Sequence, residues 1–331
     1  MTKVLLTGDR PSGKLHLGHY VGSLQNRVRL QSQYESYIFI ADIQALAACW
    51  DQPDLLRASV LDVVKDYLAV GIDPSVATLY IQSQITEIAE LTVIYMNLVT
   101  LARLERNPTV KTELEQKGMT ESVPVGFLCH PINQAADITI MDADVVPVGE
   151  DQLPLLEQTN EIVRRFNRIY NTDLMKECQP LLGKMSRLPG IDGKAKASKS
   201  LGNAIYLCEE TEELKQKVMS MYTDPLHIKV SDPGHVEGNI VFTYLDVFHE
   251  SKEEVEELKA HYTKGGLGDT VLKNILFGDL ERLLAPIREK RQTISDDFAY
   301  DVLRQGSLKA RQKAQAKMEK VREVVGIRYF L

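Results

Sequence analysis

The chain has 331 residues with 39 Lys+Arg against 46 Asp+Glu, a net charge of −7, and it is 44% hydrophobic and 26% charged. These values exclude a disordered or collagen-like polymer, and the length predicts two domains with cores of their own. The four cysteines, Cys49, Cys129, Cys178 and Cys208, are too widely spaced for a disulfide-stapled module or paired metal ligands, so they read as reduced thiols.

The first residues reach Gly, Asp and Arg too early for a signal peptide, and no apolar run approaches the ~20 residues of a membrane span. A soluble, cytoplasmic protein with no membrane segment is the expectation. The acidic balance argues against indiscriminate nucleic-acid coating, although a local basic face on an acidic body is compatible with it.

In chain order, residues 3–7 form a short apolar run closed by Gly8-Asp9-Arg10-Pro11-Ser12-Gly13, and residues 17–30 have helical spacing. That is strand, turn, helix. A second apolar run, 37–41, leads into Asp42; residues 54–70 read as a helix stopped by Gly71-Ile72-Asp73-Pro74. A third run, 77–81, ends at Gln82-Ser83. Residues 105–126 are polar and read as an insertion, residues 131–138 as a helix of small residues around Asp137, and a fourth run, 145–148, precedes Gly149 and a helix over 152–170. The alternation predicts an α/β fold with a parallel sheet whose site lies at the carboxyl ends of the strands. Beyond residue 206 the strand signals fade into Glu/Lys-rich helices, which predicts a mainly helical second domain over 206–331 following a first domain over 1–205. From Arg304 onward eight Lys/Arg face two acids, a local +6 that is either a solvated helix face or a surface for a polyanion such as RNA.

Pro11-Ser12-Gly13-Lys14-Leu15-His16-Leu17-Gly18-His19 sits at the first strand-to-helix turn, where backbone N–H groups and a helix dipole favour an anion. His16 and His19, three apart, can share one side of a helix; they are either phosphate ligands or capping histidines. No glutamate or cysteine accompanies them in a metal-binding pattern. Downstream, two segments carry paired basic residues: Lys184-Met185-Ser186-Arg187, and Lys196-Ala197-Ser198-Lys199-Ser200. The second has two lysines three apart among hydroxyls, flanked by Gly193 and Gly202, and suits a mobile clamp on a leaving pyrophosphate. Val148-Gly149-Glu150-Asp151-Gln152 closes a strand and opens a helix, where an acid and an amide can take a ribose hydroxyl and an α-amino group; Asp151 as a helix cap is the plain alternative. Asp137 on an apolar helix needs a partner, either an Arg elsewhere or a ligand donor.

His16-Leu17-Gly18-His19 resembles the HIGH signature of class I aminoacyl-tRNA synthetases, and Lys196 to Ser200 resembles their KMSKS loop, with Ala197 in place of Met. Gly149-Glu150-Asp151-Gln152 and Ala135-Ala136-Asp137 are similar to segments of the bacterial-type tryptophanyl branch, and similarity extends through the chain. The resemblance implies a Rossmann-like catalytic domain and a helical anticodon-binding domain whose last helix packs back. It implies ATP, with Mg2+, and L-tryptophan and tRNA(Trp) as partners of a homodimer. Residue by residue, His16, His19, Lys196 and Lys199 are implied as catalytic. Arg10, Pro11, Ser12, Gly18, His19, Gly149, Glu150, Asp151, Leu188, Lys196, Ala197, Ser198, Lys199 and Ser200 are implied at ATP. Asp137, Gln152, Gln134 and Gln44 are implied at tryptophan, with Asp137 accepting the indole N–H, and no metal site is implied. The rival readings are a tyrosyl enzyme, a small adenylyltransferase and a non-charging tRNA-binding paralogue.

Overall fold

The computed structural model describes residues 2–116, 118, 123–182, 188–194, 196–199 and 201–330, without the side chains of Ala48 and Gln116. Five parallel strands, β1 (Val4–Asp9), β2 (Glu35–Ile40), β3 (Thr78–Ile81), β4 (Val145–Val148) and β5 (Gln179–Leu182), stand in the order β3-β2-β1-β4-β5. The expected α/β fold is therefore present. The order reverses between β1 and β4, and a doubly wound sheet opens its binding crevice at such a switch. Central strands read as unbroken apolar runs because helices cover both faces; Leu5, Leu6, Ile38 and Ile40 are each 1% exposed.

β5 was not foreseen. It is a mostly exposed edge strand carrying Pro180, which cannot donate to a ladder. The helix expected over 17–30 forms in pieces, Leu17–His19, a π-helical turn Tyr20–Leu24, and Gln25–Leu30. No helix among the described residues is long and apolar enough to cross a membrane, and the four cysteines are thiols.

The chain divides into two compact units that differ from the 1–205 and 206–331 spans of the sequence pattern. One comprises 1–13, 25–184 and 295–331; the other comprises 14–24 and 185–294. Backbone hydrogen bonds explain the second grouping: Leu17 N donates to Ile205 O at 2.9 Å and Leu207 N to Leu15 O at 3.0 Å. Its helices, Thr211–Met219, Ile240–Phe248, Lys252–Lys264 and Asp269–Thr293, bury Leu214, Phe242, Leu245, Val255, Leu276 and Leu280.

The C-terminal helix, Asp296–Val324, belongs to the first unit and packs on β3. Its Ala310, Ala314, Met318 and Val321 enter the sheet's core, and Ser307 Oγ accepts the Ile81 N–H at 3.2 Å. Half of the basic run, which read as either a solvated helix face or a polyanion surface, pairs with acids of the body it docks on. Lys317, only 6% exposed, pairs with Asp142 at 2.5 Å; Arg322 meets Glu90 at 2.6 Å, Arg311 meets Glu87 at 3.4 Å and Lys313 meets Glu35 at 3.5 Å. Arg304 and Arg328 pair within the tail itself, with Asp301 and Glu323. Among the described residues only Lys309 and Lys320 of that run lack an ion pair. The six pairs offset part of the local +6, and Arg304, Arg311 and Arg328 remain exposed beside their partners.

Gly306 sets how closely this helix approaches. A Cβ there would lie 1.8 Å from Leu79 O and 2.7 Å from its carbonyl carbon, whereas one at Gly278, inside another helix, would meet nothing within 4 Å. Replacing a mid-helix glycine by alanine ordinarily stabilises by about 1 kcal/mol. Gly278→Ala is expected to raise the thermal midpoint, and Gly306→Ala to lower it by the equivalent of more than ~2 kcal/mol, because backbone must shift. Thermal unfolding of the two variants checks the opposite signs.

Candidate active site

The turn after β1 is anchored by a buried polar knot in the first unit. Arg27, 3% exposed, donates from Nη1 to Asp9 Oδ2 at 2.7 Å and from Nη2 to Asp9 Oδ1 at 3.2 Å, while Tyr67 Oη donates to Asp9 Oδ2 at 2.7 Å. Burial opposes the guanidinium charge, and Asp9 more than offsets it. Such a fork fixes a carboxylate's orientation as well as its position. It holds the strand end from which Arg10, Pro11 and Ser12 depart. Arg10 lies 3.6 Å from Glu113 of the insertion, Pro11 is buried and Ser12 exposed. Gly13 follows at φ +98°, a conformation that side chains other than glycine rarely adopt.

In the second unit His16 and His19 form a reciprocal cap at the start of helix Leu17–His19. His16 Nδ1 accepts Gly18 N–H at 3.1 Å and His19 Nδ1 accepts His16 N–H at 3.3 Å, with ring centroids 3.9 Å apart. The capping alternative is thus real, and it has a chemical consequence. An Nδ1 that accepts a backbone N–H must carry the ring proton on Nε2, so both imidazoles present an Nε2–H donor. Gly18 must lack a side chain, since a Cβ would sit 2.8 Å from the His16 ring.

The lysine loop lies in the same unit. Ala197, 5% exposed, donates its N–H to Leu188 O at 3.1 Å, and Pro189 bridges Lys196. Asn203 holds the next turn, its Oδ1 accepting Ser198 N–H at 2.8 Å and its Nδ2 donating to Asp192 at 3.1 Å. A Cβ on Gly18 would be 3.9 Å from Ala197 Cβ, so the histidine turn and the lysine loop adjoin. Lys196 is exposed, and Lys199 and Ser198 are half-buried. Leu188 is 2% exposed, so only its backbone is open to partners such as Ala197 N–H. Ser200 and the competing segment, 184–187, lie outside the described residues.

Back in the first unit, Gly149, Glu150, Asp151 and Gln152 make a single 3-10 turn after β4. The insertion secures it: Thr109 Oγ1 donates to Asp151 O at 2.6 Å, and Asn107 Nδ2 donates to Pro154 O at 3.2 Å and Gln158 Oε1 at 2.7 Å. Asp151 does not cap the following helix by its side chain; its Oδ2 instead accepts from Gln152 Nε2 at 3.1 Å.

Helix His130–Ile140 carries Asp137, which is 2% exposed. Among the described residues no cation pairs with it, which removes the Arg alternative. Gln82, 0% exposed at the end of β3, donates from Nε2 to Oδ1 and Oδ2 of Asp137 at 2.9 and 2.8 Å and to Asn133 Oδ1 at 3.0 Å. Burial, opposed by Gln82 and reinforced by Asp42, pushes the Asp137 carboxyl up to about 8. Gln44 N–H donates to Gln82 Oε1 at 3.2 Å, and the Gln44 amide lies 2.6 Å from His130 Nε2. Gln134 keeps a buried Oε1 with no hydrogen-bond partner among the described residues. Asp137, Gln44 and Gln134 are thus on elements of one polar network or beside it. Gln82, His130, Asn133, Thr109 and Asn203 escaped the sequence reading; for Gln82 the only signal was its place at the end of an apolar run.

A family model for tRNA synthetases class I (W and Y) matches residues 2–285. A tryptophan–tRNA ligase of Clostridium longisporum is 57% identical over 99% of this chain and 98% of that protein, and one of Lactococcus lactis is 56% identical over the whole of both. The structure is similar to the tryptophanyl-tRNA synthetase of Campylobacter jejuni in complex with ADP and tryptophan, with a TM-score of 0.85 and 29% identity over 98% of this chain and 99% of that one. The Mycoplasma pneumoniae enzyme gives a TM-score of 0.81 at 27% identity over 98% of each chain. The chain belongs to the class I aminoacyl-tRNA synthetase family of tryptophan and tyrosine enzymes, in its bacterial tryptophan–tRNA ligase branch.

Proposed function

We infer that the chain activates L-tryptophan with ATP, releasing pyrophosphate, and then transfers the tryptophanyl group to the 3′ end of tRNA(Trp). The observation that carries this reading is the adjacency of the two motifs in one unit, with Ala197 beside Gly18. The names of the full-length relatives favour tryptophan over tyrosine, and both motifs disfavour a paralogue that only binds tRNA.

The tryptophan carboxylate attacks the α-phosphorus and is already ionised at neutral pH, so the first step needs alignment and charge stabilisation rather than a base. The Nε2–H groups of His16 and His19 donate to phosphate oxygens. Lys196 and Lys199 neutralise charge as it develops on the departing pyrophosphate, with Gly18, Ala197, Ser198 and Ser200 shaping the approach. Arg10, Pro11, Ser12, Gly149, Glu150, Asp151 and Leu188 take the rest of the nucleotide. Gln152 takes the α-amino end of tryptophan, Asp137 the indole N–H, and Gln134 and Gln44 border the ring. Mg2+ enters with ATP as part of the substrate. The complex of the Campylobacter jejuni relative with ADP and tryptophan supports the same pair of ligands here.

Helices of 206–294 receive the anticodon in this reading, and the chain works in the cytoplasm as a homodimer. Val93 and Met96, three apart on helix Glu87–Met96 and exposed by 60% and 40%, support a second copy as partner, since exposed apolar side chains on one helix face mark interfaces.

Lys199→Ala is expected to lower tryptophan-dependent ATP–pyrophosphate exchange by about 100-fold or more; near-wild-type exchange would place the clamp elsewhere. In the same assay tyrosine is expected to support no exchange, and charging of a tRNA panel is expected to select tRNA(Trp). Selective activation of tyrosine, or adenylate formation without charging, would favour the rival readings.

A further inference from the structure

Gln82 is buried completely, and its orientation is fixed by chemistry. Its Oε1 accepts a backbone N–H, which can only donate, so Nε2 is the atom that faces Asp137. That nitrogen has two hydrogens for three acceptors, Asp137 Oδ1, Asp137 Oδ2 and Asn133 Oδ1, all within 3.0 Å. One hydrogen must therefore be shared between two acceptors while Asp137 is ionised, which leaves the carboxylate short of donors. A proton on the carboxyl completes the set in the unliganded pocket, and one N–H from a ligand completes it equally.

Asn133 is not available to relieve the shortage, because its own Nδ2 donates away, to Thr92 Oγ1 at 3.2 Å. The other titratable groups acting on Asp137 are the carboxylate of Asp42, after β2, and the Tyr80 hydroxyl on β3, which is buried without a hydrogen-bond partner. Helices Glu87–Met96 and Leu153–Tyr170 meet helix His130–Ile140 through Ile88, Leu91, Tyr95, Leu156 and Phe166 of the core. His130, at the start of Asp137's own helix, is engaged with Gln44.

We propose that Gln82 is a positioning residue for tryptophan selection, its amide holding both Asp137 oxygens so that the carboxyl releases its proton to solvent and accepts the indole N–H in the proton's place. This rests on the assignment of Asp137 to the indole. Selection then has two parts. A side chain with an N–H at that point completes the donor count, whereas one without it leaves Asp137 protonated or strands a buried charge.

The sign follows from the direction of the shift. Asp137 is neutral below about pH 8, so kcat/KM for tryptophan rises with pH up to about 8 and then levels, since that ratio reports groups of the free enzyme. Removing the two amide hydrogens disfavours the carboxylate further and moves the limb to higher pH.

The test is the pH profile of ATP–pyrophosphate exchange from pH 6 to 9 for the wild type, Gln82→Met and Asp137→Asn. The probes are L-tryptophan and the analogue with sulfur in place of the indole N–H. In the wild type the rise is expected with tryptophan and absent with the analogue, a comparison that needs no variant to fold. Gln82→Met is expected to raise KM for tryptophan about 10-fold at pH 7 with kcat within about 3-fold, and to move the limb up by about one pH unit or more. A KM raised equally at every pH, or an unmoved limb, would show that Gln82 is structural only and overturn the proposal. If Asp137→Asn keeps the wild-type preference for tryptophan over the analogue, the assignment of Asp137 itself fails; if it loses that preference while the Gln82→Met limb stays put, this inference fails alone.

Discussion

A carboxyl group buried without a cation is the constraint around which the first unit is arranged. Water would solvate an Asp137 carboxylate far better than the interior of an α/β layer does, and the structure compensates with one amide and no counter-charge. That choice dictates the neighbours. Gln82 must close β3 at full burial, Gln44 must lend it a backbone N–H, and helix His130–Ile140 must stay close enough for Asn133 to share the amide. An arginine in Gln82's place would satisfy the carboxylate permanently and leave nothing for a ligand to do. The incompletely paired carboxyl is the part of the fold that a tryptophan side chain can improve.

The phosphate end follows a different principle. Its histidines are used twice, with each Nδ1 spent on capping a helix of three residues, and that expenditure sets the tautomer that leaves Nε2–H as the donor. The lysines need no such fixing, because a point charge on a flexible stem acts over a range of positions. What needs fixing there is the backbone carrying them, and Leu188, Asn203 and the small buried Ala197 supply it. Ala197, the departure from the usual Met, is buried near Gly18.

The existence of β1 to β4 and their parallel pairing were legible, because such strands leave short apolar runs alternating with helical stretches. β5 was not, since an exposed edge strand with Pro180 has no apolar run to show. The candidate residues were legible from motif spacing and resemblance, whereas the side chains that hold their surroundings were not: Thr109, Asn107, Gln82 and Asn203 act across 42, 51, 55 and 5 positions of sequence. The charge of the C-terminal run was legible, whereas its ion-pair partners were not. Those acids, Glu35, Glu87, Glu90 and Asp142, sit far upstream, and only the folded chain shows that they pair with it.

The central claim is an exchange at Asp137 of a proton for an indole N–H, and calorimetry reads that proton directly. Titrating tryptophan into the unliganded protein at pH 7, in buffers of different ionisation enthalpy, is expected to show release of close to one proton per site bound, and none in Asp137→Asn. Binding heats that are independent of the buffer in the wild-type protein would contradict the account.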